Sequence, residues 1–323
     1  MSKTTALKNR ILQGEQPDRE SLLLLCDAPL EELSQAADEI RAHFCENGFD
    51  LCTIINGKCG RCSEDCKYCA QSIHYQTQIE EYPLLSTPEL VRQARYNAER
   101  GVLRYSIVTS GRKLGDAEVA QVCESIRAIK AAVDIEVCVS FGLLDRQAFQ
   151  KIKDAGASRV HCNLEASERY FPKVCTTHTY REKIETLLSA RSVGLSICSG
   201  GIMGLGETMA DRIDMALTLR ELGVKSVPVN FLNPIPGTPF AANAPLSDEE
   251  KRRIVAIYRF ALPDASIRLA GGRGLIADKG EACFRSGANA AISGDMLTTA
   301  GITIETDRQL LDRLGYEVRI WNE

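Results

Sequence analysis

The sequence lacks an excess of basic residues, is poor in aromatic side chains and contains no long apolar run. Its 323 residues carry a net charge of −4, and aromatic residues make up 6%, with one tryptophan. Without a basic surface the chain cannot neutralise a phosphate backbone, so we expect no nucleic-acid partner. No stretch approaches the roughly 18 consecutive apolar residues of a transmembrane helix, so we expect no membrane span.

The amino-terminal residues MSKTTALKNRILQGEQ also lack the apolar core of a secretion signal. We therefore expect a cytoplasmic protein, in which a reducing environment keeps thiols free of disulfides. The chain nevertheless contains 13 cysteines. Clustered thiols in a reducing compartment indicate metal or redox chemistry rather than a disulfide framework.

The pattern of apolar residues changes near residue 49. Residues 4–48 show helical spacing, and Asn47–Gly48 supplies a stop signal. From residue 49 onward, short apolar runs alternate with amphipathic segments. The predicted strands are residues 51–56, 104–109, 135–140, 159–165, 195–199, 226–231, 267–270 and 290–293.

One amphipathic helix is predicted between most of these strands. The clearest helix has Thr87 as its N-cap and Pro88 at its first position. About eight strand–helix repeats are typical of a (β/α)8 barrel, although a doubly wound open sheet shows the same alternation. We predict an α/β TIM-type barrel as a single domain over residues 49–323, with a helical extension over residues 1–48. The predicted helices are residues 87–100, 116–132, 145–155, 180–193, 208–222 and 247–261.

The densest motif is KCGRCSEDCKYCAQS, residues 58–72, in which Cys62, Cys66 and Cys69 have the spacing C-x3-C-x2-C. Three thiolates on one loop can bind three irons of a 4Fe–4S cluster and leave the fourth iron open to a chelating ligand. Zinc is the alternative metal, but closed structural zinc sites use four ligands. Three unequally spaced cysteines before an α/β barrel favour an iron–sulfur cluster.

At these residues the chain resembles the radical S-adenosylmethionine superfamily. In that superfamily the open iron binds the amino and carboxylate groups of S-adenosylmethionine, and an electron from the cluster cleaves the cofactor to a 5′-deoxyadenosyl radical. The aromatic residue before the third cysteine lies near the adenine, which implies this role for Tyr68. A second segment, CSGGIMGLGET, is similar to the superfamily's adenine-contact motif G-x-I-x-G-x-x-E. Its matching residues are Gly200, Ile202, Gly204 and Glu207.

Over roughly residues 45–318 the chain resembles the biotin synthase family. The resemblance implies a (β/α)8 barrel in a homodimer, a sulfurtransferase that inserts sulfur between two unactivated carbons of dethiobiotin to give biotin, and a flavodoxin- or ferredoxin-type electron donor. It also implies a second, auxiliary cluster as the sulfur source. The segments that carry the resemblance are CSEDCKYCAQS, HCNLEAS, TTHTYREKIETL, CSGGIMGLGE, SVPVNFLNPIPGTP and GANAAISGDMLTT.

The same resemblance implies contacts to cofactor and substrate. Glu165 corresponds to the ribose contact and Lys183 to the contact with the cofactor carboxylate, where the family commonly has aspartate and arginine. Lysine keeps the charge but loses the bidentate fork of arginine. Asn163 and Asn230 correspond to the substrate contacts, because their amides can both donate to and accept from a ureido ring.

The auxiliary cluster site departs from the family pattern of three strand cysteines and one arginine. Cys138, Cys198 and Arg268 match it, but the remaining position is Ser106. Serine oxygen is a poorer ligand than thiolate for iron in a sulfide cluster. Cys52 on the first predicted strand is the compensating candidate. We therefore expect Cys52, Cys138, Cys198 and Arg268 around a 2Fe–2S cluster or a cluster of different nuclearity.

The remaining cysteines have other predicted roles. Cys59 is a further candidate auxiliary ligand, and so is Cys162, although strand alternation turns Cys162 outward if Asn163 faces inward. Two other functions stay open at this point. They are a different radical S-adenosylmethionine enzyme, such as an iron-hydrogenase maturase, and a non-catalytic iron–sulfur scaffold or electron carrier. The cysteines predicted to be buried packing residues are Cys26, Cys45, Cys123, Cys175 and Cys283.

Overall fold

The structure, a computed structural model, describes residues 1–294, 296–299 and 301–320. Its centre is a sheet of parallel strands, most of them in the positions that the apolar runs predict. The predicted strands at 159–165 and 195–199 are shorter in the structure. The strands are β1 (Gly48–Lys58), β2 (Arg104–Thr109), β3 (Glu136–Ser140), β4 (Arg159–His161), β5 (Ser196–Cys198), β6 (Gly201–Met203), β7 (Ser226–Phe231), β8 (Ser266–Leu269), β9 (Ala290–Ser293) and β10 (Glu317–Val318).

The sheet closes on itself. Its strand order is β1-β2-β3-β4-β5-β7-β8-β9, and β1 also pairs with β9. The short strand β6 lies beyond the end of β5 and pairs with β7, while β10 pairs in parallel with the start of β1. This closed parallel barrel confirms the predicted (β/α)8 fold and excludes the doubly wound open sheet.

Helices follow the barrel strands, with boundaries close to the predicted ones. The first of them has Ser86 rather than Thr87 as its N-cap, because Thr87 already has helical geometry. Within the described residues, no helix combines the length and apolar character required to cross a bilayer. The helices are α1 (Lys3–Leu12), α2 (Arg19–Leu23), α3 (Leu30–Cys45), α4 (Thr87–Ala98), α5 (Asp116–Ala132), α6 (Arg146–Asp154), α7 (Tyr180–Ser192), α8 (Met209–Glu221), α9 (Asp248–Ala261), α10 (Glu281–Phe284) and α11 (Ile304–Leu314).

The amino-terminal extension is helical, as predicted, and consists of three helices, α1 to α3. Pro17 lies in the break between α1 and α2, and Pro29 is the N-cap of α3. The side chain of Asp18 caps α2 by accepting from the Ser21 amide at 2.8 Å. Leu33 and Ile40 are buried on α3, which packs against α9. The extension therefore covers the outside of the barrel.

Alternation along the strands separates two environments. On β2, Arg104 and Ser106 line the cavity inside the barrel, whereas Tyr105 and Ile107 are buried against the surrounding helices. This follows from the two-residue period of a strand. Polar and sulfur-bearing side chains therefore concentrate inside the barrel, and the apolar core lies between strands and helices.

The floor of the barrel is a buried cluster of charges around Asp50. Oδ2 of Asp50 lies 3.1 Å from Nε of Arg104, 3.4 Å from Nη1 of Arg159 and 2.9 Å from Nη2 of Arg268. Each of these four side chains is at most 5% exposed. Burial acts to raise the pKa of Asp50, but the guanidinium groups outweigh burial and lower it to about 2. Three guanidinium groups therefore surround one carboxylate at this depth.

Candidate active site

A cavity of about 380 Å³ occupies the barrel interior and opens at the carboxyl ends of the strands. Its upper wall includes Tyr68 and Glu165, and its lower wall includes Cys138 and Arg268. One continuous space therefore joins the loop that carries the C-x3-C-x2-C motif to the strand cysteines. Several predicted site residues line it, namely Cys52, Cys62, Tyr68, Cys69, Cys138, Asn163, Glu165, Cys198, Ile202, Asn230 and Arg268.

The cysteine loop follows β1 and is fixed by backbone hydrogen bonds. The Cys62 amide donates to the Gln71 carbonyl at 3.0 Å, and the Ile73 amide donates to the Cys62 carbonyl at 2.9 Å. A turn closed by the Cys69 amide and the Cys66 carbonyl, 2.9 Å apart, brings these two cysteines close together. Cys62 and Cys69 line the cavity. The loop thus holds two of its three thiols at the mouth of the barrel.

The third thiol of the motif, Cys66, lies beside Cys175 and His178. Among the residues described, these three form the single group of metal-ligating side chains whose ligand atoms all lie within 4.8 Å of one another. Cys175 is buried, as predicted, but it is more than a packing residue. Its Sγ lies 3.1 Å from Oδ1 of Asp65 and 3.3 Å from Nδ1 of His178. Cys26, in contrast with its prediction, is only half-buried.

Two acidic residues within the motif attach the cysteine loop to residues 175–178. Oδ1 of Asp65 accepts from the Thr176 amide at 2.7 Å and from the Thr177 amide at 3.1 Å. Burial acts to raise the pKa of Asp65, but hydrogen bonds from the Thr176 hydroxyl and from these amides lower it well below its usual value. Oε2 of Glu64 lies 2.5 Å from Nδ1 of His178. The segment that precedes α7 therefore positions the cysteine loop.

Glu165 has a strained backbone at the edge of the cavity. Its φ is +69°, a conformation that residues other than glycine adopt rarely. Its carbonyl accepts from the Ile202 amide at 2.9 Å, which fixes it beside β6. Oε2 of Glu165 is buried without a hydrogen-bond partner among the described residues. An orphaned carboxylate oxygen facing a cavity fits a ligand that carries hydroxyl donors, such as a ribose.

Tyr68 and Lys183 surround Glu165. Burial, together with the charge of Glu165, raises the pKa of Tyr68 well above its usual value. Lys183 is 9% exposed on α7 and does not line the cavity itself. Burial acts to lower the pKa of Lys183, but the neighbouring Cys162 and Glu165 outweigh it and raise the pKa. Lys183 is therefore a buried cation close behind the cavity wall.

The glycine-rich segment after β5 passes close to neighbouring backbone. A Cβ on Gly200 would lie 1.9 Å from the Pro228 carbonyl oxygen, so only glycine fits there. Gly204 has φ +98°, and its amide donates to Oε1 of Glu207 at 2.8 Å. The same oxygen accepts from Nε of Arg212 at 2.6 Å. Glu207 thus fixes this turn, whereas Ile202 reaches the cavity.

The two asparagines predicted to bind substrate both line the cavity and both contact backbone. Oδ1 of Asn163 accepts from the Gly200 amide at 3.0 Å. Asn230 donates to the Gly201 carbonyl at 3.1 Å and accepts from the Gly271 amide at 2.9 Å. Within the described chain, the amide nitrogen of Asn163 has no hydrogen-bond partner. Asn163 therefore keeps donor capacity for a ligand, and Asn230 is fixed in position by its neighbours.

The strand cysteines lie deeper in the cavity. Cys52, Cys138 and Cys198 all line it, and Nη1 of Arg268 lies 3.1 Å from Sγ of Cys52. Burial raises the pKa of Cys52 to about 12, despite the opposing effect of Arg268. Ser106 also lines the cavity, directly paired with Cys138 in the sheet.

The two remaining cysteine candidates lie away from this group. Cys59 pairs with Tyr82 in the loop, where their backbones exchange hydrogen bonds of 3.1 and 3.2 Å. Cys162 is buried in the apolar core outside the barrel interior, as strand alternation predicts. Neither residue lines the cavity.

Sequence reasoning missed one residue beside the strand cysteines. Nδ1 of His161 lies 3.5 Å from Sγ of Cys198. Burial acts to raise the pKa of Cys198, but the hydrogen bond with His161 and the charge of Arg268 lower it to about 7. Strand alternation could have identified His161. If Asn163 faces the barrel interior, then His161 and Arg159, two and four residues earlier, face it as well.

Comparisons with known proteins identify the family of the chain. Residues 58–219 match the radical SAM superfamily, and residues 228–317 match the biotin and thiamin synthesis associated domain. Two solved structures share the fold. A methylornithine synthase has a TM-score of 0.83 at 18% identity and covers 97% of each chain. The FeFe-hydrogenase maturase HydG from Carboxydothermus hydrogenoformans has a TM-score of 0.81 at 18% identity, covering 97% of this chain and 78% of its own.

Sequence relatives are much more similar. A biotin synthase from Akkermansia muciniphila is 58% identical over 320 residues, which span 99% of this chain and all of the relative. Biotin synthase 2 from Corynebacterium diphtheriae is 59% identical, over 97% of this chain and 96% of the relative. With this identity over nearly the full length, the chain belongs to the biotin synthase family of the radical S-adenosylmethionine superfamily.

Proposed function

We propose that this chain is the sulfurtransferase that converts dethiobiotin to biotin by radical insertion of one sulfur atom. The observation that carries the proposal is the single cavity that joins Cys62 and Cys69 at the mouth of the barrel to Cys52, Cys138 and Cys198 below. Family membership supplies the reaction class. When bound, S-adenosylmethionine and the 4Fe–4S cluster supply a 5′-deoxyadenosyl radical for hydrogen abstraction, and an auxiliary cluster supplies the sulfur.

At the mouth of the barrel, Cys62, Cys66 and Cys69 are the proposed ligands of the 4Fe–4S cluster. Two of these thiols already line the cavity, and the third lies on the same tight turn. Three thiolates on one loop suit a cluster with one open iron.

The proposed contacts to S-adenosylmethionine surround Glu165. Its unpartnered carboxylate oxygen accepts from the ribose, and Tyr68 packs near the adenine. Lys183 holds the cofactor carboxylate, because it is a buried cation close to both Glu165 and Cys66. The segment at Gly200, Ile202, Gly204 and Glu207 lets the backbone approach the adenine.

Asn163 and Asn230 are the proposed contacts to the ureido ring of dethiobiotin. Both side chains stand between the cysteine loop and the strand cysteines. Asn163 retains amide donors, and backbone hydrogen bonds keep Asn230 in place. A substrate held at this height would lie between the residues proposed to hold S-adenosylmethionine and those proposed to hold the auxiliary cluster.

Cys52, Cys138 and Cys198 are the proposed thiolate ligands of the auxiliary cluster. They do not form a group within 4.8 Å of one another among the described residues. Four ligands around a single tetrahedral ion with bonds of about 2.3 Å would be closer than that. The wider arrangement suits a cluster of several irons, a 2Fe–2S cluster or one of different nuclearity. Arg268 belongs to this site through its hydrogen bond to Cys52.

The charge of the barrel floor supports an anionic group at this depth. Thiolates and sulfides make iron–sulfur clusters net anions, and an unpaired anion buried in a protein is costly. The three arginines around Asp50 place buried positive charge at the lower end of the cavity. The floor thus provides the countercharge that the auxiliary cluster requires.

The remaining parts of the proposal concern the whole molecule. We infer one catalytic domain over residues 49–323 with the extension of residues 1–48 packed outside it. We further infer a homodimer, and electrons from a flavodoxin- or ferredoxin-type donor. Thirteen free cysteines and an oxygen-sensitive cluster suit a reducing cytoplasm.

An anaerobic assay tests the proposed function. The reconstituted protein is incubated with dithionite, S-adenosylmethionine and dethiobiotin, and both biotin and 5′-deoxyadenosine are measured. Because two C–H bonds must be broken, we expect two molecules of 5′-deoxyadenosine for each biotin. Cleavage of S-adenosylmethionine without biotin formation would contradict the proposal and favour a different radical reaction.

A further inference from the structure

We propose that His161 is the fourth protein ligand of the auxiliary cluster, giving a set of three thiolates and one imidazole. This inference rests on the proposed function, because it presumes the auxiliary site formed by Cys52, Cys138 and Cys198. Histidine replaces cysteine at iron in Rieske-type clusters, so the donor is chemically suitable.

The position of His161 in the sheet favours this role. It pairs directly with Cys198 in the ladder between β4 and β5, so both side chains point into the barrel at the same level. Nδ1 lies 3.5 Å from Sγ of Cys198, close to the separation of two donors on one tetrahedral iron. His161 therefore needs no movement of the backbone to share an iron with Cys198.

Arg268, which the family pattern offers as the fourth ligand, is committed elsewhere. Its Nη1 atom donates to the Asp50 carbonyl at 2.9 Å and to the Ala291 carbonyl at 3.2 Å, in addition to Cys52. Its Nη2 atom forms the ion pair with Asp50. A guanidinium that donates in all these directions stabilises a thiolate, and it would have to give up donor contacts of this kind before it could bind iron.

The other candidates for the fourth position are also less suitable. Cys59 lies in the cysteine loop, and Cys162 lies outside the barrel interior. Ser106 lines the cavity, but its hydroxyl is a hard donor that suits a sulfide-bridged iron poorly. Among the described side chains around the cavity, His161 is the remaining nitrogen donor in direct contact with a cluster thiol.

The expected chemical consequence concerns the electronic state of the cluster. A neutral imidazole contributes one negative charge less than a thiolate, so one iron differs from its partners and the cluster becomes easier to reduce. With His161 as the fourth ligand, Arg268 acts on the cluster through its positive charge and does not bind iron. The difference between the irons is directly observable by spectroscopy.

Mössbauer spectroscopy of the complete enzyme reconstituted with ⁵⁷Fe tests the assignment. The parent protein should show one distinct iron environment in its auxiliary component. His161→Cys should retain auxiliary iron but abolish that environment, and His161→Ala should lose auxiliary iron. The matched control is His43→Asn, on the exposed surface of α3, which should leave the spectrum unchanged. Pulsed electron paramagnetic resonance of the reduced parent, with ¹⁵N-histidine labelling, should show nitrogen coupling that His161→Cys removes.

Two results separate this inference from the proposed function. Auxiliary spectra that are the same in the parent, His161→Cys and His161→Ala, with biotin still formed, would overturn the role of His161 alone. Nitrogen coupling that responds to ¹⁵N-arginine labelling instead would return the fourth position to Arg268. A parent protein that binds only enough iron for one 4Fe–4S cluster and makes no biotin would overturn the proposed function together with the inference.

Discussion

Sγ of Cys52 lies 3.1 Å from Nη1 of Arg268, inside the barrel and at the level of the charged floor. This contact links the cysteine that is unusual for the family to the arginine that the family shares. Cys52 is also buried close to Cys138 and Cys198. Burial raises the pKa of Cys52, and the charges of these two cysteines raise it further. It therefore has the surroundings of a cluster ligand rather than of an isolated thiol.

The first prediction concerns this thiol. Cys52→Ala should lose auxiliary iron and biotin formation but keep some cleavage of S-adenosylmethionine, because the upper cluster is untouched. Ser106→Ala is the matched change on the neighbouring strand and should have far less effect, since serine is the poorer ligand. Iron, sulfide and biotin are measured in parallel. Full auxiliary iron in Cys52→Ala, or its loss in Ser106→Ala, would instead indicate oxygen ligation by Ser106.

The second prediction concerns the motif at the mouth of the barrel. Cys66→Ala should abolish 5′-deoxyadenosine production under dithionite, because three thiolates are required to leave one open iron. Cys26→Ala, a change of a half-buried thiol in the amino-terminal extension, serves as the control and should retain production. Normal cleavage by Cys66→Ala would mean that the adjacent Cys175 takes over the iron, and the motif assignment would need revision.

The third prediction concerns the cation behind the cavity wall. Lys183→Ala should weaken binding of S-adenosylmethionine by about 1–3 kcal/mol, the usual contribution of a hydrogen bond to a charged group. Lys183→Arg should restore much of this affinity, because arginine is common at this position in the family. Equilibrium binding is measured with the 4Fe–4S cluster intact. Equal affinities for Lys183→Ala and the parent would assign the carboxylate contact to another residue.

The fourth prediction concerns the pH dependence of stability through Asp211, which caps α8. This carboxylate accepts from the Thr208 amide at 2.9 Å and from the Ser167 hydroxyl at 2.8 Å. Burial acts to raise the pKa of Asp211, but these hydrogen bonds lower it to about 2. Because the folded-state pKa lies below the unfolded value of about 4, the contribution is present above pH 4 and is lost as the pH falls toward 2.

Asp211→Asn should therefore lower the free energy of unfolding by about 2 kcal/mol at pH 7. The difference between parent and variant should shrink as the pH falls from about 4 to 2. Urea unfolding followed by circular dichroism at several pH values measures both quantities. A difference that stays constant down to pH 2 would show that the ionised form of Asp211 contributes nothing specific.

Much of the fold follows from local patterns in the sequence. The predicted bounds of β2 and β7, residues 104–109 and 226–231, agree with the structure. Alternation also predicted the outward position of Cys162 from the inward position of Asn163. These predictions succeed because the strand period acts between adjacent residues.

Other features depend on contacts between distant segments and have no local signal. The charged floor joins Asp50 on β1 to arginines on β2, β4 and β8, and only barrel closure brings them together. The neighbourhood of Cys66 and Cys175 likewise requires the loop before α7 to pack on the cysteine loop. Such clusters become visible only when the topology is known.

The charged floor bears on repeated turnover. Arg104, Arg159 and Arg268 line the lower part of the cavity and are each at most 5% exposed, so access to the cavity is from the mouth of the barrel. Sulfur lost to each product must be replaced through the passage that substrate and cofactor occupy during the reaction. If the proposed auxiliary cluster is the sulfur source, we expect replenishment and catalysis to exclude each other in time, because the upper site would have to empty before the lower one could be rebuilt.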